Sequence, residues 1–318
     1  MDSLMFSLNS TIPVFLVMVL GYVLNKMGFF SESFLNISDK LVFRVALPAM
    51  LFMDMSGIDL YSDFDLKYVA FCACATTVAF LSIWALAKLF IRDRKITGEF
   101  VQASYRSSAA ILGAAYIVNI YGDTGMVPLM MIGSVPLFNV FAVIVLTLES
   151  PEKVTAAEAG ARIKQAFFNI LKNPIIDGIA VGLLASALRL KLPAIADKTL
   201  TSVASLTTPL ALLAIGAGFE FSRMRTNIRL TAVVSAIKLV VLPAVFLPAA
   251  VYLGFTDQKL IALMIMLGAC STPTCFVMAK NMGHDGSLTS SAVVCTTLLS
   301  TVTLTFWIFL FRSMGYIL

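Results

Sequence analysis

Gly268-Ala269-Cys270-Ser271-Thr272-Pro273-Thr274 interrupts an apolar run that otherwise extends over residues 258–282. Ser104-Tyr105-Arg106-Ser107-Ser108-Ala109-Ala110, followed by Gly113-Ala114-Ala115, does the same to the run at 99–121. Each places small, hydroxyl-bearing or helix-breaking residues inside a segment long enough to cross a bilayer as one helix. Either stretch alone reads as close helix packing through small side chains. Sliding the sequence on itself by 161 residues lays Ser107 and Ser108 on Gly268 and Ala269, so the interruptions coincide. The same offset superposes Pro13 on Pro174, Gly21 on Gly182, Pro48 on Pro209, Gly57 on Gly218, Gly122 on Gly283 and Gly125 on Gly286. Chance supplies about 0.6 such Gly or Pro coincidences, against these six. Paired broken helices in a repeated chain point to a secondary transporter whose substrate binds where the breaks meet.

The rest of the sequence agrees. Of 318 residues, 59% are hydrophobic and 13% charged, and the mean hydropathy is +0.92. Soluble domains carry roughly twice that share of charge. The apolar runs are continuous rather than alternating, which excludes a membrane β-barrel. Ten candidate spans follow: 11–29, 36–56, 66–90, 99–121, 125–148, 166–189, 197–219, 228–253, 258–282 and 287–311. The expected fold is an all-α polytopic membrane protein. Its ten transmembrane helices form two five-helix repeats, residues 1–157 and 158–318, with crossed, discontinuous helices four and nine. Five spans per repeat force opposite orientations, so the repeats are inverted. Met1-Asp2-Ser3-Leu4 lacks a positive leader, so the first span is expected to be retained. The polar stretch 149–165 suits a short surface helix. Fourteen loop cations fall on one side and six on the other, which predicts both termini on the non-cytoplasmic side of the cell membrane.

Several chemistries are excluded. One histidine, His284, cannot supply a multi-histidine metal site and reads as a loop residue. The cysteines, Cys72, Cys74, Cys270, Cys275 and Cys295, lie in apolar runs and read as packing residues. Scattered net charge of +5 gives no nucleic-acid surface. No nucleophile-elbow, zinc-protease or phosphate-loop motif is present, so neither an enzyme nor a cofactor is expected.

Three cations remain inside spans: Arg44, Arg106 and Lys238. Intramembrane charge is costly and usually functional. The candidate substrate site is Ser107 and Ser108 with Ser271, Thr272 and Pro273, and Asn139 alongside. Arg106, Lys238 and Arg44 supply positive potential for an anion. Alternatively Arg106 and Arg44 snorkel to the interface, Asn139 serves as interhelical glue, and Lys238 ties helix ends together through freed carbonyls. Pro48 and Pro209 share a repeat position and are expected to kink spans two and seven. Asp54, Asp177 and Glu220 are acids in or near spans, each able to carry a proton or to hold a helix end.

The chain resembles the auxin efflux carrier family, which includes bacterial malonate and malate carriers and plant auxin exporters. The likeness covers nearly the whole sequence. It is carried by Ile12-Pro13 through Leu20-Gly21-Tyr22, Asp39-Lys40-Leu41-Val42-Phe43 to Ala46-Leu47-Pro48-Ala49, and Lys172-Asn173-Pro174. Pro209-Leu210-Ala211-Leu212-Leu213 with Gly216, Lys238-Leu239-Val240-Val241-Leu242-Pro243, and Pro273 through Ser290-Ser291-Ala292 continue it. The resemblance implies a scaffold of helices one, two, six and seven that also forms a homodimer. It implies a transport unit of helices three to five and eight to ten, moving organic anions by an elevator-like shift. The family's helix-four pattern, Arg-Ser-Asn-x-Gly then Gly-x-Pro, is altered here at Ser108, Ala110 and Ala115. Helix four is therefore expected to break less sharply than helix nine. Arg44 replaces a residue that is usually uncharged in the family. The function expected is carriage of small mono- or dicarboxylates. The alternatives are a membrane anion sensor that moves nothing and a sodium-coupled carrier like the bile-acid symporters.

Overall fold

The computed structural model describes residues 13, 16–57, 65–91, 93–109, 126–149, 174–219 and 227–317. Ala110, Gly113, Ala114, Ala115, Glu220 and the polar stretch beyond Glu149 lie outside them. All regular structure among the described residues is helical. In chain order the helices are α1 (Leu16–Lys26), α2 (Glu32–Leu41), α3 (Leu47–Ser56), α4 (Leu66–Phe90), α5 (Arg94–Tyr105), α6 (Val127–Leu148) and α7 (Pro174–Ala187). They continue with α8 (Ala194–Ala204), α9 (Thr207–Ala217), α10 (Ile228–Ala236), α11 (Leu242–Tyr252), α12 (Asp257–Gly268), α13 (Thr274–Asn281) and α14 (Ser287–Ser313).

Among the described residues, four stretches are long and apolar enough to cross a membrane: Leu66–Phe90, Val127–Leu148, Ala194–Ala217 and Ile228–Tyr252. A fifth, α14, qualifies as one span bent by 43° between Ser300 and Val302. The outward faces of α1, α4, α7, α11 and α14 carry exposed Leu, Val and Phe, for example Leu16, Leu81, Leu184, Val245 and Phe309. Such a surface is stable against lipid and not against water.

Prolines locate the bends. Pro48 has no N–H for the Arg44 carbonyl, and the chain from α2 to α3 widens into a π turn over Val42–Ala46. Pro243 stands in the same relation to Leu239, and a second π turn covers Ile237–Val241 between α10 and α11. Pro209 follows a break at Ser205–Leu206 between α8 and α9. Pro48 and Pro209 thus each stand at a local departure from α-helix, one a π turn and one a two-residue interruption.

Two groups of helices emerge from the packing. In one, α3 packs most extensively on α7 and also on α8, while α9 meets α1 and α2. Glycines set these distances. A methyl group on Gly182 would lie 2.7 Å from the Phe52 carbonyl oxygen, and one on Gly178 2.5 Å from that of Pro48. Gly21 and Gly216 bring α1 and α9 together in the same manner, against the backbones of Leu213 and Met18. In lipid, where apolar surface gains nothing by leaving its solvent, such close approach is a main source of helix association.

The other group joins α4, α5, α6 and α10–α14. Phe80 of α4 stacks on Phe141 of α6 at 4.4 Å and meets Tyr105 of α5 edge-on at 5.3 Å. Helix α12 is buried on every side from Leu260 to Gly268, so it runs through the centre of this group. His284 is 4% exposed, and its Nε2 lies 2.9 Å from the Leu146 carbonyl oxygen. It does sit in the connection between α13 and α14, but as a buried fastener onto α6.

Candidate functional site

Both interruptions are real breaks. Helix α5 stops at Tyr105 and leaves Arg106, Ser107 and Ser108 outside helix, while α12 and α13 are separated by the five residues 269–273. Each helix end leaves backbone groups short of intrahelical partners, and hydrogen bonds cross between the two segments here. Ser107 Oγ donates to the Ile265 carbonyl at 2.9 Å, and Ser271 Oγ donates to the Ala103 carbonyl at 2.6 Å. The Ser108 amide donates to the Cys270 carbonyl at 2.9 Å, and Gln102 Nε2 to that of Cys275 at 2.9 Å. The breaks thus fasten each other by a reciprocal exchange of hydrogen bonds.

Lys238, 0% exposed, enters this junction from the π turn between α10 and α11. Its Nζ donates to the carbonyls of Leu267 at 2.7 Å and of Met266 and Tyr105 at 3.3 Å. The carbonyl that Pro243 frees, that of Leu239, is taken instead by Trp307 Nε1 at 3.0 Å.

Beside the junction is a cavity of about 40 Å³, room for a few waters or a carboxylate head group. Arg106, Ser107, Ser108, Asn139, Thr272 and Thr274 form its polar wall, and Leu47, Met50, Leu51, Val135 and Phe138 its apolar one, with Asp54 at the α3 side. Arg106 is 2% exposed. Its Nη2 donates to Asn139 Oδ1 at 3.0 Å and Thr274 Oγ1 at 3.1 Å, and its Nη1 to Gln102 Oε1 at 3.3 Å and to Met278 Sδ at 2.9 Å. All four partners are neutral, and its buried Nε has none. Asn139 Nδ2 is anchored on the Val135 carbonyl at 2.9 Å, which turns its oxygen toward the guanidinium. The first turn of α13 begins at Thr274, so its partly positive end adds to the field here.

Of the residues expected at a site, Ser107, Ser108, Asn139, Thr272 and Arg106 meet in this cavity. Ser271 is buried with its hydroxyl committed to α5, and neither Pro273 nor Lys238 is part of the lining. Arg44 is exposed on the outer face of its π turn and also lies apart from the cavity. Thr274 and the α3 residues were not singled out as ligands. Thr274 follows Pro273 directly, where a broken helix restarts, and that position was the available signal. Asp54, read from the sequence as an acid able to carry a proton or to hold a helix end, lines the cavity.

Outside the membrane-spanning segments, Asp65 caps α4 by accepting the Tyr68 amide at 3.0 Å and pairs with Lys259 at 2.7 Å. The hydrogen bond from Lys259, then that from the Tyr68 amide, holds its carboxyl below the usual carboxylate range.

The chain matches the profile of a family described as membrane transport protein over residues 6–308. It is similar to an uncharacterized transporter of Methanothermobacter thermautotrophicus, 23% identical over 308 residues, covering 95% of this chain and 97% of that protein. It is equally similar to the uncharacterized transporter YfdV of Escherichia coli K12, 23% identical over 316 residues, covering 97% and 99%. A match along nearly the full length, on a helical membrane protein whose broken helices meet beside a polar cavity, makes the chain a member of the auxin efflux carrier family of membrane transporters.

Proposed function

We propose that the protein carries small organic anions, mono- or dicarboxylates, across the cell membrane. The observation that carries this reading is Arg106: a fully buried guanidinium with four neutral partners and a free Nε, lining a cavity. A buried cation that makes no ion pair is expensive; Asp54 lines the same cavity without pairing with it, and an anionic ligand held by the guanidinium offsets the cost. Ser108, Thr272, Thr274 and Asn139 add neutral polar groups around the same space, and the apolar α3 wall suits a short hydrocarbon chain.

An elevator-like shift of helices three to five and eight to ten against a scaffold of one, two, six and seven accounts for movement of the site. The cavity lies between α3 of the scaffold and the junction of the transport group. Side-chain hydrogen bonds across that boundary include Asn281 to the Asp39 carbonyl at 3.3 Å and Ser290 to that of Ile215 at 3.5 Å, both long. The inverted repeat gains support from the glycines. Gly21 against Leu213 becomes Gly182 against Phe52 when both members of the pair are shifted by 161. Dimerisation through the scaffold and non-cytoplasmic termini complete the proposal.

The test is uptake and exchange in proteoliposomes across a panel of radiolabelled mono- and dicarboxylates with their uncharged amides as controls. The expected result is saturable flux of at least one carboxylate and none of its amide. Absence of flux for the whole panel, or equal flux of acid and amide, rejects the reading.

A further inference from the structure

At the junction two helices end face to face. The last carbonyls of α5 and of α12 converge, and each C-terminus carries about half a negative elementary charge. Their sum, about one negative charge, has to be balanced within the bilayer. In carriers with discontinuous helices this is where a bound sodium ion or proton is held, on unwound carbonyls and half-helix ends. Here the balancing charge is covalent. The Lys238 Nζ reaches the carbonyls of Leu267, Met266 and Tyr105 at 2.7, 3.3 and 3.3 Å. Three acceptors match the three N–H donors of an ammonium. A neutral amine has only two N–H donors for these three oxygens, so the arrangement suits the charged form. No carboxylate among the described residues pairs with Lys238, so its charge answers to the helix ends alone.

We propose that the Lys238 ammonium is the resident cation of the helix junction, filling a carbonyl seat for a monovalent metal ion. The carrier then needs no sodium or potassium there, and removing the side chain opens a monovalent-cation site. The statement about the transport cycle rests on the carrier function proposed above; the statement about the seat does not.

The test uses purified full-length protein in detergent. Wild type is expected to unfold at the same temperature in sodium, potassium and choline chloride at equal ionic strength, and to show no saturable binding of 22Na+. Lys238→Ala is expected to unfold earlier in choline. Sodium or n-propylammonium should restore its midpoint by about 2–4 °C at ten times the dissociation constant. Tetramethylammonium, which has no N–H to donate, should not. Saturable 22Na+ binding to wild type overturns the proposal and needs no variant. A folded Lys238→Ala that ignores every cation overturns it as well. In proteoliposomes, replacing sodium by choline should change wild-type flux by less than about twofold, since a cation that binds no state differentially shifts no equilibrium. Failure to find any carboxylate substrate would reject the carrier reading and leave the unfolding and binding results to decide the seat.

Discussion

Arg106→Gln separates a ligand-binding arginine from a structural strut, because the two roles predict different outcomes for stability. The guanidinium donates to Gln102 Oε1, Asn139 Oδ1, Thr274 Oγ1 and Met278 Sδ at 2.9–3.3 Å. At about 1 kcal/mol net per bond to a neutral oxygen, a strut of this kind would cost ~3 kcal/mol to remove. Against that stands the burial of a charge that makes no ion pair, itself worth several kcal/mol, roughly cancelling the bonds. The expected change in stability is therefore within ~1 kcal/mol of zero, read as a thermal midpoint shift of about 2 °C or less. Substrate binding behaves otherwise. A carboxylate loses a charge-assisted hydrogen bond worth about 1.5–3 kcal/mol, which is ~10–150-fold in apparent affinity. The assays are thermal unfolding of the purified variant and the concentration dependence of carboxylate uptake in proteoliposomes. A fall of more than about 6 °C in the midpoint, with KM for the carboxylate unchanged, would refute the reasoning and make Arg106 a strut.

Three further outcomes follow from neighbouring geometry. Ser271→Ala removes the donor to the Ala103 carbonyl and should lower stability by ~1–3 kcal/mol with KM unchanged, whereas Ser108→Leu, in the cavity wall, should abolish flux with normal expression; unfolding and uptake on both variants check the contrast. Gly182→Ala puts a methyl group 2.7 Å from the Phe52 carbonyl oxygen and should destabilise by ~1–3 kcal/mol, detectable as a lowered midpoint, and an unchanged midpoint would contradict the close approach of α7 to α3. Asp65 has its folded carboxyl held below its unfolded range by Lys259 and the Tyr68 amide, so its contribution is present above the unfolded value, near 3.8, and is lost as pH falls through the lower, folded one. Asp65→Asn should therefore unfold slightly earlier than wild type at neutral pH, by well under ~1 kcal/mol for so exposed a pair, and the gap should close below the carboxylate range.

Much of this could be read along the chain because it depends on local chemistry. Pro273 removes a backbone donor wherever it sits, so a break near residue 273 is a property of the sequence. Arg106, Ser107 and Ser108 form a polar insertion in an apolar span, and such an insertion has to face protein or water rather than lipid. What each hydroxyl and cation does there was not legible. Ser271 and Thr272 are adjacent and chemically alike, yet one donates to a helix end and the other lines the cavity. Lys238 and Arg44 both occupy π turns in spans, but one is buried at the junction and the other points outward. His284, in the five-residue connection 282–286, gives no local sign that Leu146 lies within its reach.

The sequence by itself determined that this is a helical membrane protein and that its apolar runs break near Arg106–Ser108 and at Ala269–Pro273. Those follow from hydropathy, proline and spacing, which act over a few residues and need no partner. Only the tertiary structure decided which polar groups are consumed in fastening the breaks and which remain for a ligand. Hydrogen bonds saturate, and the serine that caps Ala103 and the lysine that caps Leu267 found those carbonyls through the meeting of segments more than a hundred residues apart in Ser271's case and 29 apart in Lys238's.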